Sequence, residues 1–372
     1  MATILLTGNF KLMSFNSSRH SVHKLIRAIP FPLKKIWRPL DALSIGLPVQ
    51  PYQLIHSYNR IPYVNKPWII SFETILPRTI GPGSYGLKKI LRSRLLLNNC
   101  KKIIAISDYA KQRFIKFNKD WNELKDVINK LVIIHPNISL NTFTPKHYAT
   151  GKILELAFIG NDFARKGGIV ALRIASKAKK MGIPIKIHLI SAMKYGANVY
   201  TDFPQSSRYE NDLKLLGLDN VVFHKTKSNA EVIQLLTASH FQLMPTLDDT
   251  YGFSILEGFS VGTPAITTNV CALPEIVHHD QNGYLLHLDL TEDRNWIQLA
   301  HRENPDYWDI LDNTYDELTN QALQLIVEIL NQPERYEYLS SGAIAQVRNF
   351  HDSQVASQRL DNLYLEIING AN

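Results

Sequence analysis

The fold of this chain is decided by residues 245–268, which read PTLDDTYGFSILEGFSVGTPAITT. The apolar run over 240–244 before them is typical of a buried strand, and Pro245 ends it. The spacing of apolar residues over 252–261 predicts a helix, and the run over 264–268 predicts the next strand. Strands that alternate with helices in this way indicate an α/β fold whose parallel sheet carries helices on both faces.

The same alternation extends along the rest of the chain. In the second half we expect strands over 153–160, 183–190 and 220–224, and helices over 168–180 and from Ser228 onwards. In the first half we expect strands over 2–7, 68–72, 102–106 and 132–134, helices over 86–97 and 109–117, and a helical tail over 336–368. The polar stretch over 143–152 between the halves is typical of a domain boundary.

Length and composition limit the class of protein. The chain has 372 residues, of which 45% are hydrophobic and 20% charged, which favours two globular domains and excludes a disordered or fibrous chain. It contains no apolar run of the ~20 residues that span a membrane, and its N-terminus lacks the basic and apolar regions of a secretory signal. Its two cysteines, Cys100 and Cys271, suit a reducing compartment. These features predict a cytoplasmic protein.

Charge is distributed unevenly along the chain. Residues 1–150 hold 23 Lys and Arg against 6 Asp and Glu, a balance of +17, whereas residues 151–372 hold 18 against 27, a balance of −9. The first half should therefore attract an anionic partner such as nucleic acid, an acidic membrane surface or a phosphorylated acceptor, unless it is only a solvated basic face. Basic and apolar residues mix over 25–38 as they do in interfacial segments, although Pro30 and Pro32 argue against one long helix there.

The predicted helix after Pro245 offers a site for an anion. Its first amides and the positive end of its dipole suit a diphosphate, and Gly252 lets the backbone approach a ligand closely. Glu257 could accept hydrogen bonds from ribose hydroxyls, and Asp249 precedes the helix on the side where a sugar could lie. The alternative is structural, because Asp248 and Asp249 could simply cap the helix while Glu257 is solvated.

The residues that follow resemble a known family. Small-x-Gly-x-Pro over 260–264 is followed by PEIV over 274–277 and by NG at 282–283. This ordered run resembles the donor-binding region of family 4 glycosyltransferases, the glycosyl transferases group 1, which have GT-B architecture. The family carries Glu, seven residues and a second Glu, and here Asp249 replaces the first while Glu257 matches the second.

A second match lies over 158–168, which reads FIGNDFARKGG. Lys166 falls on the family's lysine that contacts the donor diphosphate, and a lysine suits phosphate oxygens as a point charge. Many members have arginine where this chain has Asn161, so Arg165 could supply a second cation. The alternative is a surface Arg-Lys pair. The resemblance implies catalytic roles for Asp249 and Lys166 and donor contacts from Gly160, Asn161, Arg165, Lys166, Thr250, Tyr251, Gly252, Phe253, Ser254 and Glu257.

The first half matches the family less well. Weaker similarity covers 102–111 and 133–138, but the Gly-Gly loop that many members have after the first strand is replaced by Gly8-Asn9-Phe10. The catalytic histidine of many members is also missing, and Glu73 falls at about its place. Glu73 is therefore the candidate catalytic residue of this half.

The resemblance implies two Rossmann-like, doubly wound domains facing across a cleft. Residues 1–147 would bind the acceptor, residues 148–345 would bind the nucleotide sugar, and a C-terminal helix over 346–372 would pack back on the first domain. The implied reaction is a hexosyltransferase-type transfer with retention, without metal or other cofactor, to an acceptor that is lipid-linked or an anionic glycan. The basic first half would then place the enzyme at the inner face of a membrane.

Other functions fit some of these features. A nucleotide-sugar epimerase or a phosphorylase could use the same fold, and a nucleotide-sugar-binding protein without catalysis would tolerate the departures in the first half. Nucleic acid binding lacks a recognition motif. The pairs His20 with His23 and His278 with His279 lack further ligands at metal-binding spacing, so we expect no metal site.

Overall fold

The computed structural model describes residues 1–8, 10–31, 33–79 and 83–370. The chain divides into two compact units. The first unit comprises Met1–Ser139 and Phe350–Asn372, and the second comprises Leu140–Asn349. Asn9, at the place in the sequence where the family's glycine pair is missing, falls outside the described residues. Within those residues, none of the helices combines the length and apolar character needed to cross a bilayer.

The first unit is built on a six-stranded parallel sheet. The strands of the whole unit, inside and outside this sheet, are β1 (Thr3–Gly8), β2 (Lys24–Arg27), β3 (Ile29–Pro30), β4 (Leu43–Ser44), β5 (Gly46–Leu47), β6 (Leu54–Tyr58), β7 (Ile61–Pro62), β8 (Trp68–Phe72), β9 (Cys100–Ala105) and β10 (Leu131–Ile133). Its helices before the second unit are α1 (Phe10–Asn16), α2 (Tyr85–Leu96), α3 (Asp108–Phe117) and α4 (Leu124–Ile128). The sheet order is β10-β9-β8-β6-β1-β2, and β6 and β8 are buried at every position, as expected for central parallel strands.

Four short strands of the first unit lie outside this sheet. β3 and β5 form a two-stranded antiparallel ribbon, and β4 pairs with β7 in parallel. The described residues of the basic and apolar segment over 25–38 include the end of β2, one strand of this ribbon and a turn of 3-10 helix over Leu33–Lys35. These described residues do not form one long helix, as the two prolines indicated.

The second unit repeats the plan. Its strands are β11 (Leu154–Ile159), β12 (Ile185–Ile190), β13 (Val221–Phe223), β14 (Phe241–Met244), β15 (Ala265–Thr268) and β16 (Gly283–Leu286). Its helices are α5 (Gly168–Lys180), α6 (Glu210–Leu213), α7 (Asn229–Ala238), α8 (Phe253–Ser260), α9 (Tyr307–Asn331) and α10 (Glu334–Gln346). The parallel sheet has the order β13-β12-β11-β14-β15-β16, which is that of a dinucleotide-binding Rossmann fold. The chain changes direction across this sheet between β11 and β14, and ligands of such sheets bind beyond the strand ends at that point.

Helix α11 (Ser353–Asn369) follows the second unit in sequence but belongs to the first. The Tyr364 hydroxyl lies 2.7 Å from Nδ1 of His56 on β6, and both side chains are fully buried. Asp361 accepts hydrogen bonds from the Ser21 hydroxyl and the Val22 amide, each at 2.7 Å. The predicted fold class, two doubly wound α/β domains, is confirmed by the two sheets.

Candidate functional site

The two segments singled out in the sequence meet at the direction change of the second sheet. One is the loop over 160–167 after β11, and the other is the loop over 245–252 after β14. Because β11 and β14 are hydrogen-bonded neighbours, their carboxyl ends bring these loops together. The carbonyl of Arg165 accepts hydrogen bonds from the Leu247 amide and the Thr246 hydroxyl, both at 2.9 Å. The motifs thus form one site although they are about 80 residues apart.

Lys166 and Asp249 form an ion pair at the centre of this site. Nζ of Lys166 contacts Oδ2 of Asp249, and the carboxylate is almost fully buried. The other oxygen, Oδ1, accepts hydrogen bonds from the Tyr251 amide at 3.2 Å and the Gly252 amide at 3.0 Å. Asp249 therefore accepts from two backbone amides just ahead of α8 and also pairs with Lys166. The sequence did not predict that pair.

Opposing effects act on the pKa of Lys166. Burial lowers the pKa of its ammonium to about 7, and the nearby Arg165 cation adds to that shift. Asp248 and Asp162 act in the opposite direction, and direct contact with Asp249 likewise favours the ammonium. Lys166 is therefore a cation whose protonation near neutral pH depends on the anions around it.

Two glycines allow the loop after β11 to pack this closely. A Cβ on Gly160 would lie 2.7 Å from Cβ of Lys166, so any side chain there would push the lysine out of position. Gly167 has a φ of +92°, and a Cβ on it would lie 2.4 Å from the carbonyl oxygen of Pro245. The glycines are thus required where the loop crosses the end of β14.

The start of α8 supplies mainly backbone groups. Gly252 is the N-cap residue with a φ of +83°, in the left-handed region that favours glycine. The Tyr251 side chain is fully buried, with its ring centroid 5.3 Å from that of Phe253, so Tyr251 offers the site its amide rather than its phenol. Thr250 and Ser254 are both partly exposed on either side of them, and the Ser254 hydroxyl lies 3.6 Å from the Met244 sulfur.

Glu257 and Asn161 lie at the edges of the site. Glu257, in the second turn of α8, is partly exposed, and its Oε1 accepts a hydrogen bond at 2.7 Å from the Asn229 amide group. Asn161 is exposed, and its carbonyl accepts a hydrogen bond from the Lys194 amide at 3.0 Å. The loop after β12 therefore adjoins the site, which the sequence did not indicate.

Arg165 connects the loops. Its guanidinium donates to Oδ2 of Asp162 at 2.6 Å and to the carbonyl of Asp248 at 2.5 Å. The Cys271 thiol donates to Oδ1 of Asp248 at 3.4 Å. Asp162 and Cys271 were missed at the sequence level. The spacing of Asp162 three residues before Arg165 was the one available signal, and nothing local marked Cys271.

Glu73, the candidate of the first unit, follows β8 at the carboxyl edge of the first sheet. Its Oε1 accepts a hydrogen bond at 3.1 Å from the side chain of Asn59 and lies 3.4 Å from Nη1 of Arg78. Its amide donates to Oδ1 of Asn59 at 3.1 Å. Asn59 follows β6 with a φ of +60°. Glu73 is thus held rigidly in place, and it belongs to a different unit from Lys166 and Asp249.

Three of the four histidines considered as metal ligands have other partners. Nε2 of His20 lies 3.2 Å from the Ser353 hydroxyl, and Nδ1 of His23 accepts from the Ala2 amide at 3.2 Å. Nδ1 of His279 accepts from the Leu285 amide at 3.1 Å. In the described part of the chain, no group of three or more His, Cys, Asp or Glu has an arrangement that could hold a metal ion.

Comparison with known proteins shows which family this chain resembles. Residues 142–296 match the family model described as glycosyl transferases group 1, so the family resemblance predicted from the motifs is confirmed. A curated relative, the D-inositol 3-phosphate glycosyltransferase of Mycobacteroides abscessus, is 23% identical over 202 residues, which are 50% of this chain and 43% of that protein. The chain spans about half the length of the curated relatives it matches.

Solved structures resemble the whole chain. A glycosyltransferase from Rickettsia africae aligns with a TM-score of 0.61 and 13% identity over 99% of both chains. Anabaena HepE, solved in complex with UDP-glucose, aligns with a TM-score of 0.59 and 12% identity over 98% of this chain and 100% of that one. At such identity the likeness shows the fold alone, which is the GT-B fold that the motifs implied.

Proposed function

We propose that this chain, in which residues 142–296 match the glycosyl transferases group 1, is a hexosyltransferase-type enzyme that takes a sugar from a nucleoside-diphosphate donor. The observation that carries the proposal is the set of donors converging on one carboxylate. The Lys166 ammonium and the amides of Tyr251 and Gly252 all point at Asp249. Three such donors at the direction change of a Rossmann sheet suit a diphosphate. The glycosyltransferase names of the relatives and the UDP-glucose bound to HepE support a nucleotide sugar as donor.

In this proposal the diphosphate replaces Asp249 as the partner of Lys166. The ammonium and the amides ahead of α8 then stabilise the negative charge that develops as the diphosphate leaves. Asp249, released from the lysine, holds or polarises the sugar, while Glu257 accepts hydrogen bonds from the ribose. Because cationic and backbone groups neutralise the charge, the proposed transfer uses no divalent metal or other cofactor.

The acceptor side of the proposal rests on the first unit. Glu73 lies at the carboxyl edge of its sheet, where ligands of parallel sheets bind, and is the proposed catalytic carboxylate of that side. Transfer with retention follows the family resemblance. The basic balance of residues 1–150 favours an anionic or lipid-linked acceptor and a cytoplasmic enzyme in peripheral contact with a membrane.

A panel of nucleotide sugars tests this function. The purified protein would be incubated with each donor and a membrane lipid extract, and released nucleoside diphosphate would be measured. We expect one donor to be turned over, with activity lost in Lys166→Ala and Glu257→Ala and kept in the presence of EDTA. Lys180→Ala, which removes an exposed cation from the end of α5, is the matched control and should behave as wild type.

Other outcomes separate the alternatives. Turnover that needs no acceptor would indicate an epimerase, and a requirement for free phosphate would indicate a phosphorylase. Binding of a donor without turnover under any condition would favour a nucleotide-sugar-binding protein. In Glu73→Gln we expect donor affinity to be unchanged and transfer to fall, since the first unit does not supply the diphosphate contacts.

A further inference from the structure

The ribbon formed by β3 and β5 has an apolar face directed to solvent. Ile29 lies opposite Leu47, and the hydrogen bond of 3.0 Å from the Phe31 amide to the Ile45 carbonyl continues that register. Residues two apart on a strand share a face, so these four side chains lie on one side of the ribbon. Their exposed fractions are 59% for Ile29, 57% for Phe31, 43% for Ile45 and 68% for Leu47. We call this surface the ribbon face.

The opposite side of the ribbon is fixed to the first unit. A Cβ on Gly46 would lie 2.7 Å from Cβ of Ala28, which is buried and whose amide donates to the Leu6 carbonyl of β1 at 3.0 Å. The ribbon therefore cannot turn over to bury its apolar side chains against its own unit. The packing of the opposite side therefore keeps the ribbon face exposed.

The segment that forms the ribbon carries further exposed apolar and basic side chains. Ile36, Trp37 and Val49, in the same segment, are also exposed. Exposed cations lie among these residues, at Arg27, Lys35 and Arg38. The segment 22–49 contains a single acidic residue, Asp41, and its Oδ1 is held by the Arg60 guanidinium at 2.5 Å.

This composition distinguishes between the kinds of partner that could cover the ribbon face. Protein interfaces are depleted of lysine but enriched in arginine and aromatic residues, so the choice of partner rests on the excess of positive charge over residues 22–49. Large apolar side chains interleaved with Lys and Arg match the interface of a bilayer, where the apolar groups enter the acyl boundary and the cations meet lipid phosphates. The excess of positive charge further selects an anionic surface.

We propose that the ribbon face docks the protein on an anionic lipid bilayer. Phe31 and Ile45 line a small cavity with Thr7 and Gly8, the last residues of β1, so the docking surface adjoins the carboxyl edge of the first sheet. A bilayer bound there brings lipid-borne molecules to the edge at which a parallel sheet binds ligands. The docking does not depend on the proposed transferase activity.

Sedimentation with lipid vesicles tests the proposal on the full chain without any nucleotide sugar. Vesicles of phosphatidylcholine alone would be compared with vesicles that also contain phosphatidylglycerol. We expect wild type to bind only the anionic vesicles, and binding to weaken about tenfold or more in both the apolar variant Phe31→Ser/Leu47→Ser and the charge variant Lys35→Glu/Arg38→Glu. The control Tyr338→Ser/Val355→Ser changes exposed apolar residues outside the ribbon and should bind as wild type.

Several results would overturn the proposal. The proposal is wrong if the wild-type protein stays in solution with anionic vesicles. It is also wrong if both ribbon variants bind these vesicles as well as the wild type does. Sedimentation velocity gives a further contradicting result if the wild type is a dimer and the apolar variant is a monomer. The ribbon face would then bind a second copy of the chain. Circular dichroism and urea unfolding establish that each variant is folded, so loss of vesicle binding is distinguished from loss of structure.

Discussion

The carboxylate of Asp249 accepts from three donors, the Lys166 ammonium among them. Oδ2 contacts the Lys166 ammonium, and Oδ1 accepts from the Tyr251 and Gly252 amides at 3.2 and 3.0 Å. An anionic ligand that uses these donors must displace the carboxylate first. The Lys166 charge is therefore already compensated by Asp249, and part of the binding free energy of a diphosphate is spent on breaking this ion pair.

Removing the charge of Asp249 should strengthen the binding of nucleoside diphosphate and weaken sugar transfer. In Asp249→Asn the amide oxygen can still accept from the Tyr251 and Gly252 amides, but it competes more weakly for Lys166, because hydrogen bonds to charged partners are about twice as strong as neutral ones. We expect nucleoside diphosphate to bind about tenfold more tightly by isothermal titration calorimetry, while sugar transfer falls by at least as much. Weaker diphosphate binding in a folded variant would show that Asp249 aids the phosphate rather than competing with it.

Donor affinity should fall as the pH rises above neutral. Burial lowers the pKa of Lys166 to about 7, so above that pH the free site loses the ammonium that a diphosphate needs. Calorimetric titrations between about pH 6 and 9 should show the affinity falling by up to about tenfold per pH unit. The fall should end where the pH reaches the higher pKa that Lys166 has beside the bound anion. In Lys166→Arg the cation persists at every pH, because guanidinium has a pKa above about 12, and the profile should be flat. A wild-type profile as flat as that of the arginine variant would contradict this.

A methyl group on Gly160 should displace Lys166. The new Cβ would lie 2.7 Å from Cβ and 3.0 Å from Cγ of the lysine, closer than carbon atoms pack. Gly160→Ala should weaken nucleoside diphosphate binding by about tenfold or more, comparable with the loss of one charge-assisted hydrogen bond. Gly217→Ala is the matched control, because nothing lies within 4 Å of its Cβ. Equal affinities in the two variants would show that the lysine can shift without loss.

Acid should destabilise the first unit through His56. Burial lowers its pKa to about 3, while its ring nitrogens lie 2.7 Å from the Tyr364 hydroxyl and 2.8 Å from the Ser71 hydroxyl. Between about pH 6.5 and 3 the unfolded chain binds a proton that the folded chain does not, so stability falls as the pH falls. At pH 5 the loss is about 2 kcal/mol from this residue.

Urea unfolding at about pH 7.5 and pH 5 measures this effect. His351, whose pKa is lowered to about 4 mainly by burial, adds to the acid loss of wild type. His56→Gln should be less stable at neutral pH but lose about 2 kcal/mol less on acidification. His287→Gln, which changes an exposed histidine of the second unit, should lose as much as wild type. An identical acid loss in all the proteins would exclude His56 as its source.

The second unit was predictable because its signals are local. The strand before Pro245, Gly252 at the helix start and the Lys-Gly sequence at 166–167 each lie within a few residues of the structure they specify. Sheet order then brings the two loops together without further information. The pairing of Lys166 with Asp249 was not predictable, since it links residues 83 apart through the choice of β14 as the neighbour of β11.

Strand β6 shows why the first unit was harder to predict. Its sequence LIHSY places two polar residues inside a buried strand, which breaks the apolar run that marks such strands. His56 is satisfied by Tyr364, 308 residues away, and the Ser57 hydroxyl lies 2.9 Å from that of Thr7 on β1. The burial of these groups depends on partners that no local pattern reveals.

The position of α11 also sets the order in which the chain can fold during synthesis. The second unit is contiguous and is complete as soon as residue 349 has left the ribosome. The first unit begins earlier but must wait for residues 350–369, which supply Tyr364 to His56 and Asp361 to the loop before β2. The unit that is translated first is therefore finished last, and during that interval His56 on its central strand lacks the Tyr364 hydroxyl. A nascent chain paused inside the second unit would expose that incomplete first unit to the cell's chaperones.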